Sequence, residues 1–69
     1  MSVSIISENQ ARDIAVEFLR QHNLILTTEK PTLADNVWHV IVIVTSPARK
    51  RIEVLVNAKS GYVEGFLQK

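Results

Sequence analysis

The hydrophobic period of the chain changes once, from about 3.6 residues to two, and that change separates a helix from a sheet. Ser7-Glu8-Asn9-Gln10 has the form of a capping box, the Ser7 hydroxyl taking the Gln10 amide and the Gln10 side chain reaching back. Ala11, Ile14, Ala15, Phe18 and His22 then recur at three- and four-residue steps, with Leu19 at the margin. Arg12, Asp13, Glu17, Arg20 and Gln21 fall elsewhere, as a solvated face requires. The spacing predicts an amphipathic helix over residues 8–22, with Glu8 at the positive end of its dipole. Asn23 is expected to close it in the left-handed conformation, and Leu24 to fold back over the last turn.

Beyond Asn23 the alternation is that of strands. Residues 24–30 predict a first strand, which Pro31 ends or confines to an edge because it donates no ladder hydrogen bond. Asp35-Asn36 supplies turn chemistry. Residues 37–44 are apolar on both faces: Trp38, Val40, Val42 and Val44 point one way, and Val37, His39, Ile41 and Ile43 the other. Such a run marks an inner strand covered on both sides. Residues 45–50 read as a loop. Residues 51–58 place Ile52, Val54, Val56 and Ala58 inward, and Arg51, Glu53, Leu55 and Asn57 outward. A last strand is expected over residues 62–67, whose Tyr62 and Phe66 either cap the core or extend a partner surface. The predicted fold is α+β: one N-terminal helix packed on one face of a three- to four-stranded antiparallel β-meander. The 69 residues make a single small domain, with a tail over 1–6, the helix over 7–23 and the sheet over 24–67.

One helix covers one face of such a sheet and leaves the other bare. If Trp38, Val40, Val42 and Val44 join Ile52, Val54 and Val56 beneath the helix, then Val37, His39, Ile41, Ile43 and Leu55 form an uncovered patch. The opposite choice of faces strands Trp38 and the valines instead. The core expected from the first choice is Ile14, Ala15, Phe18, Trp38, Val40, Val42, Val54 and Val56. The patch is expected to be a partner interface, most simply with a second copy in a homodimer. Another protein, or the chain's own residues 3–6 folded beneath the sheet, are the alternatives.

Composition sharpens this reading. A chain so short buries only about 60% of the surface that it exposes when unfolded. With no cysteine, its stability must come from the 46% of residues that are hydrophobic, or from a partner. Eight Lys and Arg against seven Asp and Glu give a net charge of +1, too balanced for a nucleic-acid or membrane-surface field. Met1-Ser2-Val3-Ser4-Ile5-Ile6-Ser7 has no basic leader region, and no apolar run approaches the roughly 18 residues of a membrane span. If these residues are the whole gene product, a soluble cytoplasmic protein is expected.

Candidate chemistry is sparse, and no enzyme is expected. Neither His22 nor His39 stands in a nucleophile or metal-ligand pattern, and Glu17, Glu29, Glu53 and Glu64 are scattered. His39 reads as an interface or satisfied core histidine. With only Gly61 and Gly65, no phosphate-cradling loop can form. No catalytic, cofactor-binding or metal site is therefore assigned. The one local charge concentration, Arg49-Lys50-Arg51, is a possible anion contact that two copies could join into a larger patch. A solvated loop accounts for it better than a nucleic-acid contact.

Three features together resemble a known family. Ala11 and Ala15 lie in the N-terminal helix, Trp38-His39-Val40 forms a W-x-V strand, and Val56-Asn57-Ala58-Lys59-Ser60-Gly61-Tyr62-Val63 follows the pattern V-D-A-x-T-G-x-V. Over residues 7–67 the chain resembles PepSY and PepSY-like domains. Asn57 stands where that family has Asp, and Ser60 where it has Thr, so no role needing a carboxylate carries over to position 57. Asn57 still suits an Asx turn, and Gly61 the positive φ at the exit of a short hairpin. The resemblance implies a small binding or regulatory module, of a kind associated with modulating peptidases, and no catalysis.

Overall fold

A computed structural model describes residues 5–46 and 48–68. Helix α1 spans Glu8–Arg20, and both halves of its capping box form. The Gln10 amide donates to Ser7 Oγ at 3.1 Å, and the Ser7 amide to Gln10 Oε1 at 2.8 Å. The helix ends two residues short of the expected Gln21–His22, and Asn23 is not left-handed. Its side chain closes the helix instead: Asn23 Nδ2 donates to the Leu19 carbonyl at 3.1 Å, which the His22 amide also reaches at 3.2 Å. One orphan carbonyl is thereby satisfied without a backbone reversal.

The stripe that α1 buries is Ala11, Ala15 and Leu19; Ile14 is half-buried and Phe18 is 39% exposed. Leu19, expected at the margin, is central, and Phe18, expected in the core, is marginal. Two small alanines let the backbone approach the sheet along the 11-15-19 ridge, so positions one residue away lean outward. Phe18 leans toward Phe66, with ring centroids 5.5 Å apart.

Five strands follow: β1 Leu24–Thr28, β2 Thr32–Ala34, β3 Val37–Ser46, β4 Lys50–Asn57 and β5 Val63–Gln68. All pairs are antiparallel, in the order β1-β3-β4-β5, and β2 shares with β1 the same neighbour, β3. The expected first strand is thus shorter, and a three-residue strand follows it. Buried Pro31 lies between the two, where the ladder needs no donor. Asp35 and Asn36, at φ 51° and 61°, make the two-residue turn from β2 to β3. The positive φ at both positions suits their short polar side chains and matches the twist of the flanking strands.

β3 pairs with β4 from Val37↔Asn57 to Val44↔Lys50. This register puts Val40, Val42 and Val44 beside Ile52, Val54 and Val56, all buried beneath α1. At the sheet end the Trp38 indole donates to the Ile6 carbonyl at 2.9 Å, and the Ile6 amide to the Ala58 carbonyl at 2.8 Å. Ile6 therefore packs on the helix side of the sheet and does not roof the other face. Of the tail segment considered as such a roof, Val3 and Ser4 lie outside the described residues, as does Pro47 in the β3–β4 loop.

This packing orders the cost of truncations. Leu19→Ala should destabilise by about 3 kcal/mol, because a buried leucine leaves a cavity between helix and sheet. Phe18→Ala should cost about 1 to 2 kcal/mol, less than a fully buried phenylalanine, since its ring keeps partial contact with water. Urea unfolding of the two variants checks the ranking.

Candidate functional site

Residues alternate across a strand, so those between the buried valines face away from α1. On β3 these are Val37, His39, Ile41 and Ile43; on β4 they are Arg51, Glu53, Leu55 and Asn57. Leu67 lies opposite Glu53 and Gly65 opposite Leu55, which extends the surface onto β5. Val37, Ile41, Ile43 and Leu55 are half-buried by their neighbours within the sheet. Among the described residues α1 is the only helix, and it lies on the opposite side. The five residues expected as a partner interface thus share one open face.

Its polar centre was not foreseen. His39 Nδ1 lies 2.9 Å from Glu53 Oε2, with side chains 33% and 14% exposed. The contact is diagonal, since His39 is opposite Leu55 and Glu53 opposite Ile41. Glu53 read as a solvated outward residue; the register instead places its carboxylate beside the one histidine on that face. A hydrogen bond to a carboxylate fixes the ring's orientation and tautomer, as it does in catalytic sites. Here, however, the pair lies on a flat sheet surface between Ile41 and Leu55. A concave feature lies elsewhere: a cleft of about 590 Å³ on the helix side, between the end of α1 and β5. No three His, Asp or Glu side chains among the described residues come together as metal ligands would.

The basic triplet does not act as a unit. β4 begins at Lys50, so strand alternation sends Lys50 and Arg51 to opposite faces. Arg51 donates to Glu29 Oε2 at 3.0 Å, Lys50 lines the cleft, and Arg49 is exposed ahead of the strand.

The closing turn is built around Asn57. Its Oδ1 accepts from the Lys59 and Ser60 amides at 2.8 and 3.0 Å. The Gly61 amide donates to the Asn57 carbonyl and the Asn57 amide to the Tyr62 carbonyl, each at 2.8 Å. Gly61 has φ 80°, which a residue with a Cβ adopts only under strain. Asn57 Nδ2 also donates to Glu64 Oε2 at 2.6 Å, a bond that an aspartate in its place could not make.

With this geometry in place, a family model described as peptidase propeptide and YPEB domain, PepSY, matches residues 5–67. The chain belongs to the PepSY family. No significant match is found among curated proteins or among solved structures. The matched span begins at Ile5 and so includes the Ile6 backbone that Trp38 holds. In this PepSY domain several of the residues that carried the resemblance do structural work. Ala11 and Ala15 permit close helix–sheet contact, Trp38 ties the N-terminal segment, and residues 57–61 shape the turn. No helix among the described residues is long and apolar enough to cross a membrane.

The Asn57–Glu64 bond makes a direct prediction. Asn57→Asp keeps the acceptor for the two turn amides but sets a second carboxylate against Glu64. It should destabilise the domain by about 0.5 to 1 kcal/mol, and adding Glu64→Gln should restore most of that loss. A double-mutant cycle of unfolding free energies checks it.

Proposed function

We propose that this PepSY domain is a non-enzymatic binding and regulatory module that works as a homodimer, its open sheet face packed on that of a second copy. The carrying observation is the juxtaposition of Val37, Ile41, Ile43 and Leu55 on two adjacent central strands, with no described element above them. Each is already half-covered by its neighbours, so complete burial adds about 1 kcal/mol per side chain. Leaving this gain unused is costly for a domain of such small size.

A second sheet is the occupant that fits. The face is ten residues long on β3 and four strands wide. That is a flat footprint of roughly 600 Å² at about 3.3 Å per residue and about 4.8 Å between strands. A standard interface takes about 800 Å² of accessible surface from each partner, a size that this footprint approaches. Two such sheets pack face to face at about 10 Å, with side chains interdigitated. The His39–Glu53 pair enters the seam with its polar atoms already facing each other, which limits the desolvation cost. The family description names peptidase propeptides, and this supports a peptidase as the regulated partner. Because Arg49, Lys50 and Arg51 diverge, the nucleic-acid reading lacks a continuous basic surface within one chain.

Light scattering at high micromolar concentration should give the mass of a dimer. Ile41→Glu, which sets a charge in the middle of the seam, should give a monomer that keeps its helical circular dichroism and cooperative unfolding. A wild-type protein that is monomeric at that concentration, or an Ile41→Glu variant that stays dimeric, would contradict the proposal.

A further inference from the structure

The two edges of the sheet differ. One is divided between β1 and β2, with Pro31 between them and register irregularities around Ile25. Interruptions of this kind protect an edge against strand addition. The other edge is β5, which ends the strand order and has no neighbour on its outer side among the described residues. Its one irregularity lies at the Val63 end; residues 65–68 pair regularly with residues 52–55. That half of β5 contains no proline and no charged residue, so its outward amides and carbonyls are a template for another strand.

The cleft lies beside this half of β5. Phe18, Leu19, Ile52 and Phe66 supply its apolar walls, and Phe66 is 56% exposed although its ring rests against Phe18. Lys50 is half-buried at the same cleft. Arg12, Arg20 and Arg51 each pair with a glutamate, but among the described residues Lys50 has no ion-pair partner and no carboxylate lines the cleft. A half-buried lysine beside an apolar groove is complementary to an anionic side chain.

We propose that residues 65–68 of β5 receive an extended acidic–apolar segment of a partner protein as an additional edge strand. One apolar side chain of the segment inserts beside Phe18 and Phe66, and an Asp or Glu four residues away meets Lys50. Alternation along the added strand puts every second side chain on the helix side, and Lys50 lies four residues along β4 from Val54, the residue opposite Phe66, so the two anchors belong at i and i±4. An added strand lies about 4.8 Å beyond β5 and about 9.6 Å from β4, a span that an acidic side chain and the Lys50 side chain cover together. This site is separate from the open sheet face and does not depend on the dimer.

The test is a selection from random eight-residue peptides displayed with both ends embedded in a carrier protein. Enriched sequences should share an apolar residue with Asp or Glu four positions away. A synthetic peptide carrying that sequence should slow amide exchange in residues 65–68 of the isotope-labelled protein and leave Ile41 and Leu55 unshifted. Phe66→Ala, at an exposed site that tolerates truncation, should weaken binding by about tenfold or more. Lys50→Glu should turn the selected sequences from acidic to basic. No enrichment, shifts confined to the open face, or an acidic preference that survives Lys50→Glu would each overturn the proposal.

Discussion

The structure depends on one constraint: its central strand is apolar on both sides, and the described chain covers only one of them. β3 bonds to β1 and β2 along one edge and to β4 along the other, so it cannot be moved to a wetter position. Val40, Val42 and Val44 meet the alanine ridge of α1, where small side chains allow close approach and the valines become fully buried. Ile41 and Ile43 alternate with them and must face the other way. A one-residue slip would exchange the two sets without reducing the apolar area left over. The open face is therefore a consequence of the β3 composition, whatever the register.

The surfaces available for recognition follow from that layout. Helix α1 leaves the β5 end of its own face partly uncovered, where the cleft lies beside Phe66. The opposite face is broad, flat and apolar, with a hydrogen-bonded His–Glu pair at its centre. A flat face suits another flat face, whereas a groove beside a free strand edge suits an extended chain. Both surfaces suit the binding module proposed for this domain. Ala11, Ala15, Trp38 and Asn57, which help to mark the PepSY resemblance, maintain the scaffold that presents both surfaces.

The helix start, the two-faced β3 strand, the β2–β3 turn and the hairpin at Asn57 were legible because each rests on local rules: capping, alternation and positive-φ residues. The remainder needed tertiary information. β2 has three exposed residues and carries no periodic signal of its own. The helix end was settled by the Asn23 side chain reaching Leu19, a choice that composition alone does not make. Phe18 and Leu19 exchanged roles because both lie within the arc that an amphipathic helix buries, and the alanines decided which was central. The His39–Glu53 contact required the β3–β4 register. That register was in principle deducible from pairing Val40 with Val54, but not from either strand alone. The basic triplet read as one charge concentration, and the start of β4 was placed one residue late, which hid the division of Lys50 from Arg51 between faces.

The central claim is that the methyl groups of Ile41, Ile43 and Leu55 are covered by another copy of the chain. A sample mixed from isotope-labelled and unlabelled protein, read by isotope-filtered nuclear Overhauser spectroscopy, tests it directly. The account predicts intermolecular contacts among these three residues and Val37, and slight broadening of their methyls by a soluble paramagnetic probe. Strong broadening with no intermolecular contact, or contacts that link these methyls to the chain's own N-terminal residues, would contradict it.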